Sequence, residues 1–266
     1  MKIWKSILVI VTVLSLLAAA GCGGGNGNGK DALQRIKEAG KIRVAQEGTW
    51  APWTYHDAED KLVGYDADVA REIAKKLGVE AEFYEGEWDG LFAGIDGGRY
   101  DLLLNGVEIT ETREKTYDFS DPYAYAKTVI IVKSDSDAIH SFEDLKGKKT
   151  CNSIDSTYMN IAEQYGAEVM GVDSIEETIN MVLAGRVDAT LNSLDSYAYY
   201  LSKNPDAAIK IAATYDEVSA VAIPFKKGND TASLREAVNQ ALKELREDGT
   251  LKKLSEQYFG SDVTVK

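Results

Sequence analysis

The sequence predicts an α/β protein with parallel-rich sheets flanked by helices, built as two lobes of similar topology. Three observations predict it. From Lys41 onward, β-rich runs alternate with segments of helical period, the rhythm of βαβ units. Two capping boxes, Ser174-Ile-Glu-Glu177 and Ser233-Leu-Arg-Glu236, mark helix starts. Finally, Gly98-Arg-Tyr-Asp-Leu-Leu-Leu-Asn105 and Gly185-Arg-Val-Asp-Ala-Thr-Leu-Asn192 carry Gly, Arg, Asp, Leu and Asn at the same offsets. Each copy follows a helical segment and ends a strand at Asn. The strand ends at Asn105-Gly106 and Asn192-Ser193 would then face each other across a cleft, because ligands of open α/β sheets bind beyond the carboxyl ends of strands.

Taken in order, Lys41 to Gln46 is a short strand. Asp66 to Gly78 places Val69, Ile73 and Leu77 on one helical face, with Asp66 as N-cap and Gly78 as the stop. Glu80 to Tyr84 is a strand, Trp88 to Gly97 a short helix and Asp101 to Asn105 a further strand. Thr128 to Lys133 and Lys149 to Ser153 read as strands, and Thr157 to Gly166 as a helix. Ser174 opens a helix that runs to Gly185, and Ser233 opens one with Val238, Leu242 and Leu245 on one face.

The N-terminus reads as an export signal. Lys2 and Lys5 precede an apolar run from Ile7 to Ala20, and Ala19-Ala20-Gly21-Cys22 closes it. The run is shorter than the roughly 20 residues a spanning helix needs. The segment resembles a bacterial lipoprotein signal, with Ala19 where that pattern usually has Leu. The resemblance implies that residues 1–21 are removed and that Cys22 is lipidated. Residues 22–39 would then be the anchor and a flexible tether, glycine-rich from Gly23 to Gly29. An acylated Cys22 leaves Cys151 without an intrachain partner, so stability rests on the core. A formal net charge of −13 argues against binding nucleic acid or an anionic membrane surface.

Enzyme motifs are mostly absent, and metal-ligand spacing is missing. There is no Gly-x-Ser-x-Gly, His-Glu-x-x-His or phosphate-binding loop, and His56 and His140 lie far apart in polar turns. No cofactor and no metal are expected. Cys151, within a strand, reads as a buried structural thiol. The remaining residues suit recognition of a zwitterion. A carboxylate needs a bidentate cation and oriented donors, an ammonium needs an acid, and a side chain needs shaped apolar surface. Arg113, Ser156, Thr157, several acids, Trp50, Trp53 and Trp88 could supply them.

Glu47-Gly-Thr-Trp-Ala-Pro-Trp53, Gly64-Tyr-Asp-Ala-Asp68, Trp88-Asp-Gly-Leu, Ile109-Thr-Glu-Thr-Arg113 and Asp118-Phe-Ser-Asp-Pro-Tyr123 occur in that order. With the Asp248-Gly-Thr-Leu ending, this series resembles the family 3 solute-binding proteins of ABC transporters for polar amino acids. The resemblance implies a two-lobed, type II periplasmic-binding-protein-like fold whose lobes are joined by two hinge strands, near Ala126 to Val132 and Ser219 to Pro224. Lobe one would comprise residues 40–128 and 222–266, and lobe two residues 129–221. By the same resemblance Arg113 binds the ligand carboxylate with Ser156 and Thr157, Gly106 makes a backbone contact, and Trp50 and Trp88 sandwich the side chain. Glu47, Ser153, Asn192 and Ser193 complete the candidate binding set. Many members carry an aspartate for the ligand ammonium where this chain has Ser193, with Asp195 two residues on. Glu108 stands where Thr or Ser is common, and Glu108, with Asp195, is the expected ammonium partner.

Asn152-Ser-Ile-Asp-Ser-Thr-Tyr158 and Asp188-Ala-Thr-Leu-Asn192 look most like the cystine-binding branch. The expected protein is a monomeric, lipid-anchored, extracytoplasmic binder that is not an enzyme and hands a polar amino acid to an ABC permease. Two other readings stay open on the same fold. One is an exported cyclohexadienyl dehydratase with Glu108 as its acid. The other is a sensory domain, which would need a membrane helix or signalling domain after Lys266.

Overall fold

Lys41–Gln46 forms the middle of a parallel sheet, with Glu80–Glu85 on one side and Leu102–Leu103 on the other. The computed structural model describes residues 29–266; the leader, Cys22 and the glycine-rich run up to Asn28 lie outside the described residues. Ile42 and Val44 are fully buried. The helix Tyr65–Leu77 covers this sheet through Val69, Ala70, Ile73 and Ala74, and Gly78 ends it in the left-handed region. Its N-cap is Gly64 rather than the expected Asp66. A side chain at Gly64 would clash with the Trp53 carbonyl. Asp66 instead lies inside the first turn, fully buried.

The second sheet is antiparallel. Ala124–Lys133 lies between Thr190–Ser193 and Ile209–Val221. Lys149–Asn152 and Glu168–Gly171 pair in parallel, and a Thr150–Ala189 bridge links them onward. The expected parallel pairing therefore holds for the first sheet and for Lys149–Asn152 with Glu168–Gly171, but not for the sheet around Ala124–Lys133. Residue alternation marks a strand without naming its partner or direction. A three-stranded antiparallel sheet of Thr49–Trp50, Thr54–His56 and Leu62–Val63 was not foreseen; its strands are too short to show a period.

Two helices depart from expectation. Ala32–Ala39, assigned with the tether, is a helix capped by Asp31, because Ala32 and Ile36 share a face that buries. It packs on the helix Asn229–Glu247. That long helix starts from Gly228, not Ser233, whose hydroxyl is buried inside it with no hydrogen-bond partner. The Thr231 hydroxyl donates to the Lys226 carbonyl at the true start. A Ser-x-x-Glu spacing also arises within a helix, since Glu is a good helix former. Val238, Leu242 and Leu245 are buried as expected.

The sequence echo has matching geometry. Gly98 and Gly185 have φ of 69° and 66°. Arg99 N donates to Gly94 O and Arg186 N to Met181 O, closing both preceding helices alike. Asp101 accepts from Arg43 N and Asp188 from Lys149 N, each at 2.8 Å. Two helix–turn–strand units therefore dock on their sheets in the same way. Ser174 is the N-cap as expected: its hydroxyl accepts from Glu177 N at the start of Ile175–Leu183. Ser174→Ala is expected to cost about 1 kcal/mol, read by denaturant unfolding. Residues 31–266 form one compact unit, and among the described residues no helix is long and apolar enough to cross a membrane.

Candidate ligand site

A pocket forms where the carboxyl ends of Lys41–Gln46 and Leu102–Leu103 approach the start of the helix Thr157–Gln164. Glu47, Trp50, Trp53, Trp88, Asn105, Gly106 and Glu108 line it, with Ser153, Ser156, Thr157 and Tyr158 opposite. The space it leaves is narrow, about 30 Å³ for the centre of a water-sized sphere.

Arg113 belongs to the helix Glu111–Thr116, which Thr110 caps by accepting from Arg113 N. Its guanidinium is not a lining group, but it donates to Thr157 Oγ1 at 3.1 Å and to the Glu108 carbonyl at 3.0 Å. It also sits over the rings of Trp88 and Phe92, at 5.2 and 5.3 Å from their centroids. Burial pulls its pKa down, while the Glu108 charge pulls it up. Arginine remains a cation at neutral pH under such shifts.

Ser156 caps the helix Thr157–Gln164 and accepts from Met159 N. The first N–H groups of a helix have no intrahelical acceptor and carry positive partial charge. Thr157 and Tyr158 occupy those first positions, so this end of the pocket is electropositive.

Glu108 is only 4% exposed, and its Oε1 has no hydrogen-bond partner. Burial pushes its pKa up, against opposing pulls from the Thr157 hydroxyl, the Arg113 charge and the Ser219 hydroxyl. The flanking backbone is tightly held. Ile109 N donates to Ala220 O, and Ala222 N donates to Val107 O. Glu47 is a second buried acid, raised to about 7 by burial. Its backbone N–H donates to Asn105 Oδ1, and the Asn105 amide donates back to its carboxylate.

The aromatic walls come from three elements. Trp50 ends its short strand and Trp88 starts the helix Trp88–Asp96. Trp88 Nε1 is buried without a partner. Trp53 packs on Phe259 and Tyr65 at 4.8 and 5.9 Å between centroids. Gly106 has φ of 61°, and a Cβ there would lie 3.2 Å from the Trp53 ring.

The structure thus gathers Glu47, Trp50, Trp88, Gly106, Glu108, Ser153, Ser156 and Thr157 on one pocket, with Arg113 bonded to it. Asn192, Ser193 and Asp195 are not lining residues. Ser193 caps the helix Leu194–Lys203, and Asn192 accepts from Ser193 N. Asp195 accepts from Ser261. The Gly106 N–H is engaged by Asp66. Trp53, one of the three candidate tryptophans, also lines the pocket, as do Asn105 and Tyr158, which the expected binding set does not contain. Asn105 ends the echoed strand and Tyr158 follows Thr157, the adjacency that could have signalled both. Cys151 is fully buried in its strand, and burial lifts its thiol to about 12.

A family model for bacterial extracellular solute-binding proteins, family 3, matches residues 42–261. The L-cystine-binding protein TcyA of Bacillus subtilis is 41% identical over 235 residues, covering 88% of this chain and 87% of that protein. Among solved structures, an ancestral arginine-binding protein bound to arginine superposes with a TM-score of 0.77 at 39% identity, covering 83% and 99% of the two chains. The L-cystine solute receptor of Neisseria gonorrhoeae, in its unliganded open conformation, gives 0.59 at 41% identity, covering 88% and 99%.

Proposed function

The chain belongs to family 3 of the bacterial extracellular solute-binding proteins, and from that membership we propose that it captures L-cystine between two lobes and delivers it to an ABC permease. The fold is the two-lobed, type II periplasmic-binding arrangement with two connecting strands. Relatives named as L-cystine-binding proteins support a binder over the dehydratase reading.

One observation carries the ligand reading. Glu108, with a buried carboxyl oxygen that has no partner, and Thr157, bonded to the Arg113 cation just behind it, line one aromatic-walled pocket. Arg113, the Thr157 hydroxyl and the helix N-terminus suit an α-carboxylate. Glu108 suits the α-ammonium. Glu47 adds a second acid, which matches the second ammonium of cystine. A relative named for L-cystine supports the same ligand.

Residues 40–128 with 222–266 form lobe one in this reading, and residues 129–221 form lobe two. The paired strands Ala124–Lys133 and Ile209–Val221 are the crossings. Packing of the helix Asn229–Glu247 on Tyr65–Leu77 supports the return of the C-terminal part to lobe one. Arg113 to Thr157 and Thr49 to Asp173 are then contacts between lobes. They support a closed state, as does the better superposition on a ligand-bound relative than on an open one. Export, acylation of Cys22 and the glycine tether would hold a monomer near the permease, and stable anchoring takes more than one acyl chain.

Calorimetry of the exported chain with L-cystine and the common amino acids tests the proposal. L-cystine is expected to bind at micromolar concentration or tighter. Tight binding of L-arginine alone would keep the site and change the ligand, since Glu47 also suits a basic side chain. Failure of every amino acid to bind below the millimolar range overturns the function.

A further inference from the structure

Asp66 makes no contact with the pocket space, yet it is a junction for three segments that build the pocket. The N–H groups of Tyr65 and Asp66, at the start of their helix, donate to the carbonyls of Pro52 and Trp53. That holds the stretch from Trp50 to Trp53. One carboxylate oxygen of Asp66 accepts from the N–H of Gly106, at the strand end. The other accepts from the Tyr123 hydroxyl at 2.9 Å, immediately before the strand Ala124–Lys133. Asp66 and Tyr123 are both 0% exposed. A Cβ on Gly106 would lie 3.2 Å from the Trp53 ring, so the ring stands close to this glycine.

We propose that Asp66 is a positioning residue of the ligand pocket, setting the place of Gly106 and Trp53 relative to Glu108 and thereby ligand affinity. The inference rests on the pocket being the amino-acid site. Its physical basis is donor and acceptor matching. The half-buried Gly106 N–H donates to a fully buried carboxylate, and losing that bond leaves a desolvated oxygen without its donor, at the cost of its desolvation penalty. The Tyr123 hydroxyl can donate or accept. An asparagine can therefore accept from Gly106 with its carbonyl and donate to Tyr123 with its amide. Burial already lifts the Asp66 carboxyl to about 7, so a neutral side chain is compatible with the site. Glutamate keeps the charge and both acceptors, but its extra methylene has no room and displaces the strand end.

The test compares Asp66→Asn and Asp66→Glu in the full exported chain. Ligand dissociation constants for L-cystine and L-arginine are normalised to the folded fraction, and hydrogen exchange at the Gly106 amide is followed in the ligand-free protein. Asp66→Glu is expected to weaken binding about tenfold and to speed Gly106 exchange, whereas Asp66→Asn recovers affinity to within about threefold. A merely structural role would lower the melting temperature without moving the normalised affinity. Wild-type affinity in Asp66→Glu, or an equal loss in Asp66→Asn, overturns the inference alone. Absence of any amino-acid binding by the unsubstituted chain overturns the proposed function and this inference together.

Discussion

Arg113→Met is expected to weaken amino-acid binding by about 100-fold or more. The guanidinium is prepositioned: it donates to the Glu108 carbonyl and Thr157 Oγ1 and rests on two aromatic rings. A ligand carboxylate meeting it would form charge-assisted hydrogen bonds, each worth about 1.5–3 kcal/mol. Losing two of them costs about 3 kcal/mol or more, and each 1.4 kcal/mol is tenfold in affinity. Methionine fills the stem volume, so the loss reflects charge and donors rather than a cavity. Lysine restores a point charge but not the planar fork, and Arg113→Lys should recover only part of the affinity. Titration calorimetry reads both variants; an Arg113→Met dissociation constant within threefold of the parent would remove Arg113 from the site.

Glu108→Gln is expected to lower affinity while raising the stability of the ligand-free protein at neutral pH. The sign follows from linkage. Burial raises the folded-state pKa of Glu108 above its unfolded value, so ionisation destabilises the ligand-free fold progressively as pH rises past the unfolded value, about 4.3. Glutamine removes that cost. With ligand bound, an ammonium opposite Oε1 favours the ionised form, and affinity for the unsubstituted chain should rise with pH as Glu108 loses its proton. Removal of the charged hydrogen bond is worth about 1.5–3 kcal/mol, or about 10- to 150-fold in affinity. Thermal melts without ligand, and calorimetry in buffers of different ionisation enthalpy, check the two halves. Proton release on binding should shrink in the variant, the remainder coming from Glu47, itself raised to about 7. Unchanged affinity in Glu108→Gln would leave the ammonium without its assigned partner.

These two residues also show how much of the site was legible. Arg113 was readable because it ends a contiguous motif, Ile109-Thr-Glu-Thr-Arg113, whose Thr cap and helical turn are local. Glu108 was identifiable as a departure, but its burial and its unpartnered oxygen depend on Thr157 and Ser219, which are distant in sequence. Asp195, equally plausible from spacing, is occupied by Ser261 near the other end of the chain. Asp66 reads as an N-cap because it begins a helical run, and only the approach of Gly106 and Tyr123 turns its side chain inward.

Local chemistry thus determined what is local. Capping at Ser174, the glycine stop at Gly78 and the apolar face of Val238, Leu242 and Leu245 depend on neighbours within a few residues, and the sequence alone settled them. So did the echoed turns at Gly98 and Gly185, where residues of helix and strand interact through fixed short spacings. The tertiary structure decided strand direction at Ala124–Lys133, the early start of the helix at Gly228, and which acids share the pocket. Each of these turns on a partner far along the chain. Burial converts such partners into large energies: an acid at Glu108 or Asp66 costs little in water, but in a dry contact it must find a donor, a proton or a ligand.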